Sequence, residues 1–438
     1  MTASPPAVPA LPVIPAGAWR LIVLEFWERF SYYGILAILV LFLTGPAERG
    51  GFGWTDSRAL DLFSIFAAVA FILPMVGGYV ADRWLGTRRA VLIGSCLLVA
   101  GNVAIAASAI LHASPSSATM LYAGLFAVAL GNGFFKSSLV TLLGSLIEGD
   151  DAARDRAFRY YYQAIMLGAL AASLVVGALA ENIGWWSGFA LAAAGMAISF
   201  AIFVIWPPNP PRPATIQAVD AGSGSGESLT HAAMDIAILC AFLVIITVGW
   251  VQFQGVWLLE MQHAVNRTIG TFTVPPSWLL SVNAIVVVLF TPASGRLWRR
   301  LTGSGEHAAG FAAQFAAAFA LMGISHLLMA FGFRDPASGN VSLLWPVGCV
   351  LMITVGELIF WPSSYNAIHR IAPARSKSLM MGIWLATLGL GQYITHQVGR
   401  TAETIGFSTL SSYIGMAMLA ACIAVMVIAR LRPTLRAL

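Results

Sequence analysis

Apolar runs long enough to cross a bilayer, which takes about 20 residues of helix, recur twelve times in this chain. They lie near 19–44, 58–81, 89–112, 118–147, 156–180, 185–206, 234–262, 275–298, 307–332, 341–369, 378–403 and 408–430. With 58% hydrophobic and only 10% charged residues, and a mean hydropathy of +0.81, the chain lies far outside the range of water-soluble domains. It reads as an all-α integral membrane protein of twelve transmembrane helices. The opening "MTASPPAVPALPVIPAG" is Pro-rich and has no basic segment before an apolar core, so no cleavable signal is expected and the first span is retained.

Lys and Arg stay on the cytoplasmic side during insertion. One set of ends and loops holds seventeen of the 24 basic residues: Arg20, Arg83, Arg88, Arg89, Arg154, Arg156, Arg159, Arg212, Arg296, Arg299, Arg300, Arg370, Arg375, Lys377, Arg430, Arg432 and Arg436. The opposite set holds five, Arg49, Arg58, Arg267, Arg334 and Arg400, and two, Arg29 and Lys136, fall inside spans. Both termini are therefore expected in the cytoplasm of a multi-pass inner-membrane protein. The net charge of +5 is a topology signal and no nucleic-acid partner is expected.

Between spans six and seven, "PPNPPRPATIQAVDAGSGSGESLTH" is Pro-rich, then Gly/Ser-rich, and has no hydrophobic periodicity, the composition of a linker. It divides the chain into residues 1–206, a linker at 207–233, and residues 234–438. "GGYVADRWLGTRR" after span two has an echo in "TPASGRLWRRLTGSG" after span eight, small residues followed by an arginine cluster at the same place in each half. Repeated halves are typical of transporters that rock about a central site.

The segment "EFWERFSYYG" puts charge in the middle of the first span. Glu25, Glu28, Arg29, Tyr32 and Tyr33 follow helical spacing and share a face. A charge at the centre of a membrane helix costs about 2.5–3.5 kcal/mol on insertion scales, so that face is expected to point into the bundle and pair. A structural ion pair that merely orients the first helix is one reading. Depth supports another: at about 1.5 Å per residue, Arg29 lies about 14 Å above Arg20, Lys136 about 18 Å above Glu148, and Glu357 about 20 Å above Arg370. In nearly one layer, Lys136 and Glu357 can bond across the two halves if the fourth and tenth spans face each other.

"GGYVADRWLGTRR", with Gly77, Gly78, Asp82, Arg83, Gly86, Arg88 and Arg89, resembles the cytoplasmic loop motif of the major facilitator superfamily. "EFWERFSYYG" resembles the first-helix signature of the proton-dependent oligopeptide transporter family. "GNGFFKSS" around Lys136, "GEL" at 356–358 and "APARSKSLMMGIWLATLGLGQY" resemble that family's fourth, tenth and eleventh helices. The resemblance implies a major facilitator fold of two six-helix bundles and proton-coupled import of small peptides or peptide-like solutes by alternating access, with the proton as coupling ion and no other cofactor. Proton coupling would fall to Glu25, Glu28, Arg29, Lys136 and Glu357, since a carboxylate's proton affinity depends on whether a cation stands beside it. Asp82, Arg83, Arg88 and Arg89 would close the cytoplasmic side in the outward-open state. For Gly77, Gly78, Gly131 and Gly133, close helix approach is the structural reading.

The chain departs from the family's pattern where Leu36 stands for an arginine and Gln254 for a glutamate, so both members of an outer charge pair are missing together. Losing both avoids stranding one buried charge, and the outer gate is then expected to close by packing. Met166 in "YYYQAIMLGA" replaces an asparagine and Phe71 a tyrosine. What the resemblance leaves for substrate binding is Tyr32, Tyr33, Lys136, Met166, Gln254, Asn283, Glu357 and Trp384, a less polar pocket that Trp257 and Trp361 also fit. A modified-peptide or non-peptide solute such as a metabolite or siderophore, imported or exported, remains the alternative.

His326 and His396 fall near the outer ends of their spans, where solvated interface residues are expected. The four cysteines Cys96, Cys240, Cys349 and Cys422 are far apart in apolar spans and read as packing residues. No His, Cys or acidic set has metal-site spacing, and no nucleophile and base share a place, so neither a metal nor an enzyme is expected. A monomer is expected.

Overall fold

In lipid every backbone N–H and C=O must be satisfied within the segment, so apolar runs of this length become helices. The computed structural model describes residues 14–147, 151–208, 226–302, 310–335, 340–371 and 377–432. Its helices are α1 (Ala16–Thr44), α2 (Asp56–Val80), α3 (Thr87–Ile110), α4 (Ser117–Ser145), α5 (Asp151–Asn182), α6 (Trp185–Ile205), α7 (Gly226–Trp250), α8 (Val256–His263), α9 (Trp278–Thr302), α10 (Phe311–Gly332), α11 (Leu344–Ile371), α12 (Lys377–Arg400), the short α13 (Ala402–Ile405) and α14 (Phe407–Leu431). Twelve of these are long helices, with α8 prolonging α7, and among the described residues ten are long and apolar enough to cross a membrane. The linker core 209–225 and Arg212, Arg375 and Arg436 lie outside the described residues, as do the side chains of Arg296, Arg299, Arg300, Arg370 and Lys377.

Among α1–α6, α1 packs on α5 and α6 while α3 packs on α4 and α6. Glycines set the closest approaches. A Cβ on Gly77 would stand 2.2 Å from the carbonyl oxygen of Gly133, and one on Gly131 2.8 Å from that of Gly94, so α2 and α3 each cross α4 backbone to backbone. In the second set α10 packs on α11 and α14, and α12 on α7. Beyond Val80, α2 continues as one wide π turn, Ala81–Leu85, before Gly86, whose φ of 74° suits a residue without a Cβ. Asp82, Arg83, Arg88 and Arg89 are exposed around this turn.

The seventh span differs from the continuous run at 234–262. After Trp250 the chain tightens into a 3₁₀ turn, Val251–Gln254, breaks at Gly255 and resumes as α8. Two small strand pairs follow, β1 (Val265–Asn266) parallel to β4 (Val341–Ser342) and β2 (Thr268–Ile269) antiparallel to β3 (Phe272–Thr273).

The two sets meet along α2 with α12 and α5 with α9. On the side opposite the start of α1 and the end of α14, the seam is polar. Arg400 donates to Asp61 at 2.7 Å and to Ser57 at 3.1 Å. Gln397 donates to Asp61 at 2.9 Å and to Ser64 at 3.0 Å. Arg267 pairs with Glu181 at 3.2 Å, Trp278 donates to the carbonyl of Leu174, and His263 stands 3.7 Å from Asp56. Ion pairs therefore stand on this side of the seam at positions other than Leu36 and Gln254, beside whatever packing closes it.

His326 and His396 are corrected, because both rings are fully buried. His326 Nε2 lies 2.8 Å from the carbonyl oxygen of Gly249, and its ring meets Trp257 edge to face. His396 meets Phe63 of the first set edge to face, at 4.7 Å, and neither of its ring nitrogens has a hydrogen-bond partner among the described residues. Cys349 is buried, Cys240 and Cys422 are half-buried, and Cys96 is exposed rather than packed.

Candidate functional site

The charges of α1 turn inward, as their spacing predicts. Glu25, Glu28 and Arg29 are each 2% exposed or less. Arg29 donates to both carboxylate oxygens of Glu28, with Nη2 to Oε1 at 2.7 Å, and its Nε lies 3.4 Å from Glu25 Oε1. One turn on, Tyr32 offers its ring to the guanidinium at 4.9 Å. Asn132 on α4 accepts from Arg29 at 3.3 Å and donates to the carbonyl of Ala70 on α2, tying three helices to one cation. Gly168 of α5 permits the contact, since a Cβ there would stand 3.0 Å from that of Arg29.

Lys136 sits one turn beyond Asn132, its Nζ 5.5 Å from the centre of the Phe71 ring. The expected bond from Lys136 to Glu357 is absent from this structure, and no carboxylate lies within ion-pair distance of Lys136 among the described residues. The lysine therefore belongs electrostatically to the Glu25, Glu28 and Arg29 cluster of its own half.

Glu357 on α11 has different partners. Its Oε2 accepts from Trp250 Nε1 at 2.9 Å and from Asn283 Nδ2 at 2.7 Å, and Asn283 also reaches Thr354 at 3.0 Å. The residue as a whole is 8% exposed. With Oε2 taken, Oε1 is the open acceptor. Tyr33 of α1 and Tyr162 of α5 stand within electrostatic reach of Glu357 from the other set. Trp361, one turn beyond Glu357, meets Trp250 at 5.4 Å and Tyr365 at 5.7 Å.

Three expected pocket residues fall elsewhere. Trp384 is fully buried and stacked behind Phe360, its indole N–H unpartnered among the described residues, so it backs the pocket wall without reaching the open space. Trp257 is fully buried against His326. Tyr32 is used by Arg29. Tyr33, Met166, Gln254 and Asn283 remain partly accessible. Trp250 and Asn132, which sequence reasoning passed over as site residues, carry the bonds that orient Glu357 and Arg29.

Two helical sets meeting about charged centres on both sides, with one side of the seam bonded shut, define a secondary transporter of the major facilitator class. A model of the POT family matches residues 88–206 and 228–430. The di-/tripeptide transporter of Lactococcus lactis subsp. cremoris is 28% identical, over 92% of this chain and 93% of its own. The uncharacterized transporter YclF of Bacillus subtilis (strain 168) is 27% identical over 90% of each. The crystal structure of peptide transporter POT in complex with sulfate superposes with a TM-score of 0.82, at 25% identity and 96% coverage of both chains. The chain belongs to the POT family, the proton-dependent oligopeptide transporters, and is a multi-pass membrane transporter.

Proposed function

We propose that this protein imports small peptides or peptide-like solutes by proton-coupled alternating access, with residues 1–206 rocking against 234–438. The observation that carries the reading is the split of charge between the halves. Arg29, Glu25 and Glu28 are knotted together on one half beside an unpaired Lys136, while Glu357 presents a single open oxygen on the other. Lys136 would meet the substrate carboxylate and Glu357 its ammonium, with Tyr33, Met166, Gln254 and Asn283 around them and Trp384 behind. Tyr32 would act through Arg29.

Proton transfer falls to the Glu25, Glu28, Arg29 and Lys136 cluster and to Glu357. A substrate carboxylate arriving at Lys136 changes the field on Glu25 and Glu28, so binding and protonation are linked in sign. The count of basic residues supports a cytoplasmic location for both termini. The bonded seam is then the outer one and the conformation inward-facing, with Asp82, Arg83, Arg88 and Arg89 free to close the inner side in the opposite state. The protein acts as a monomer, with the proton as its coupling ion and no other cofactor.

The test is uptake of labelled dialanine into proteoliposomes under an inward proton gradient, compared with Glu28→Gln and Lys136→Ala. Gradient-driven uptake that both variants lose is the expected result. Absence of uptake by folded wild-type protein, across a panel of di- and tripeptides, would sink the assignment.

A further inference from the structure

We infer that His326 is a positioning residue for the ammonium end of the substrate: from α10 it grips the peptide unit that carries Trp250, and so sets Trp250 against Glu357. This rests on the peptide-import reading above and adds to its site a residue that acts only through another.

Trp250 is the last residue of α7, with φ −73° and ψ −44°, before the 3₁₀ turn Val251–Gln254. A 3₁₀ turn takes each N–H to the carbonyl three residues back, so the change of pattern leaves a carbonyl at the junction for another donor. Gly249 has that place, and its carbonyl oxygen lies 2.8 Å from His326 Nε2. A carbonyl only accepts, so Nε2 carries the hydrogen and donates. The Gly249 C=O and the Trp250 N–H belong to one rigid peptide plane. Holding that oxygen therefore fixes the plane from which the Trp250 side chain departs. Position 249 takes no larger residue, since a Cβ there would run into the Met418 side chain of α14.

The donor is itself anchored. His326 is fully buried, and its ring meets Trp257 edge to face at 5.2 Å. Its neighbour Ser325, also fully buried, donates to the carbonyl of Cys349 on α11 at 2.9 Å, about two turns before Glu357. Successive residues of α10 thus hold α7 and α11, the two helices that supply the donor and the acceptor of the Trp250–Glu357 bond. Helix α10 packs along α11 and α14 but meets α7 only lightly, so the His326 bond is the tie that sets α7 against it. Hydrogen bonds weaken steeply as their angle closes, so a small rotation of the gripped plane turns the indole N–H away from Glu357.

The experiment is thermal-shift titration of the purified full chain with two probes, dialanine and N-propionyl-alanine, the same molecule with hydrogen in place of the ammonium group. Wild-type protein is expected to prefer dialanine. His326→Phe keeps a ring against Trp257 and removes the donor; it is expected to weaken dialanine about three- to tenfold and N-propionyl-alanine by less than about twofold. His326→Gln, whose amide can donate to the same carbonyl, is expected to restore most of the preference. Ser325→Ala removes the tie to α11 and is expected to lower the same ratio, which decides the matter if His326→Phe does not fold. In a Trp250→Phe background, His326→Phe is expected to cost nothing further. An unchanged ratio in the folded variants, an equal loss for both probes as general loosening would give, or additive losses with Trp250→Phe would overturn the inference and leave peptide import standing. If folded wild-type protein binds neither probe and no other di- or tripeptide, the import reading falls and this inference falls with it.

Discussion

Removing one donor from Glu357 separates orientation from aromatic surface. Trp250→Phe keeps a ring beside Trp361 and deletes the N–H that holds Oε2 at 2.9 Å. A hydrogen bond to a charged group contributes about 1.5–3 kcal/mol, so KM for an amine-bearing substrate should rise about tenfold or more in liposome uptake. An unchanged KM would mean that Asn283 alone orients the carboxylate. The α1 charges were legible in the sequence because an acid or arginine inside an apolar run must turn into the bundle and find a partner there. Trp250 and Trp361 were not, because a tryptophan in a membrane helix packs, anchors or binds with the same composition around it. His396 misled for a related reason: residue count placed it near the outer end of its span, but α2 of the other half covers that end and buries the ring against Phe63.

At the scale of elements, glycine decides which helices touch. The backbone crossing of α2 on α4 leaves 2.2 Å for a Cβ at Gly77, and overpacking there costs about 1–3 kcal/mol or more. Gly77→Ala should therefore lower the melting temperature of purified protein by several degrees, while Gly348→Ala, with nothing within 4 Å, should not. Equal shifts from the two would contradict a packing role. The break between α7 and α8 gives a second case. A Cβ on Gly255 would stand 2.7 Å from His396 Nδ1, so Gly255→Ala should destabilise the protein by about 1–3 kcal/mol and be relieved when His396→Ala is added. Additive losses in that double-mutant cycle would show that the two do not meet. The twelve spans were readable from length and apolarity, but this break was not: "WVQFQGVWLL" is apolar apart from its two glutamines, and one glycine in a membrane helix is common enough to carry no signal.

For the whole molecule, the question is what holds the bonded side of the seam, the outer side in the function proposed above, shut when Leu36 and Gln254 carry no charge pair. Sequence reasoning expected packing, since it looked for a replacement at the same places. The partners it missed, Asp61 and Arg400, lie 339 positions apart, and each alone reads as a solvated residue near a span end. Their side chains are both 38% exposed, so the pair contributes only about 0.2–1 kcal/mol. Arg267 and Glu181, at 14% and 27%, are better shielded. A seam of several weak bonds suits a carrier, because each must break once per cycle and none is strong enough to trap the closed state. Arg400→Gln should then enlarge the outward-open population by no more than about fivefold, the equivalent of about 1 kcal/mol, and Arg400→Gln with Arg267→Gln by roughly the product of the two single effects. Spin labels at the outer ends of α2 and α12 would report this as growth of a long-distance component in the double variant. If that component does not grow even in the double variant, packing such as that of Phe63 on His396 carries the closure, and the ion pairs only decorate it.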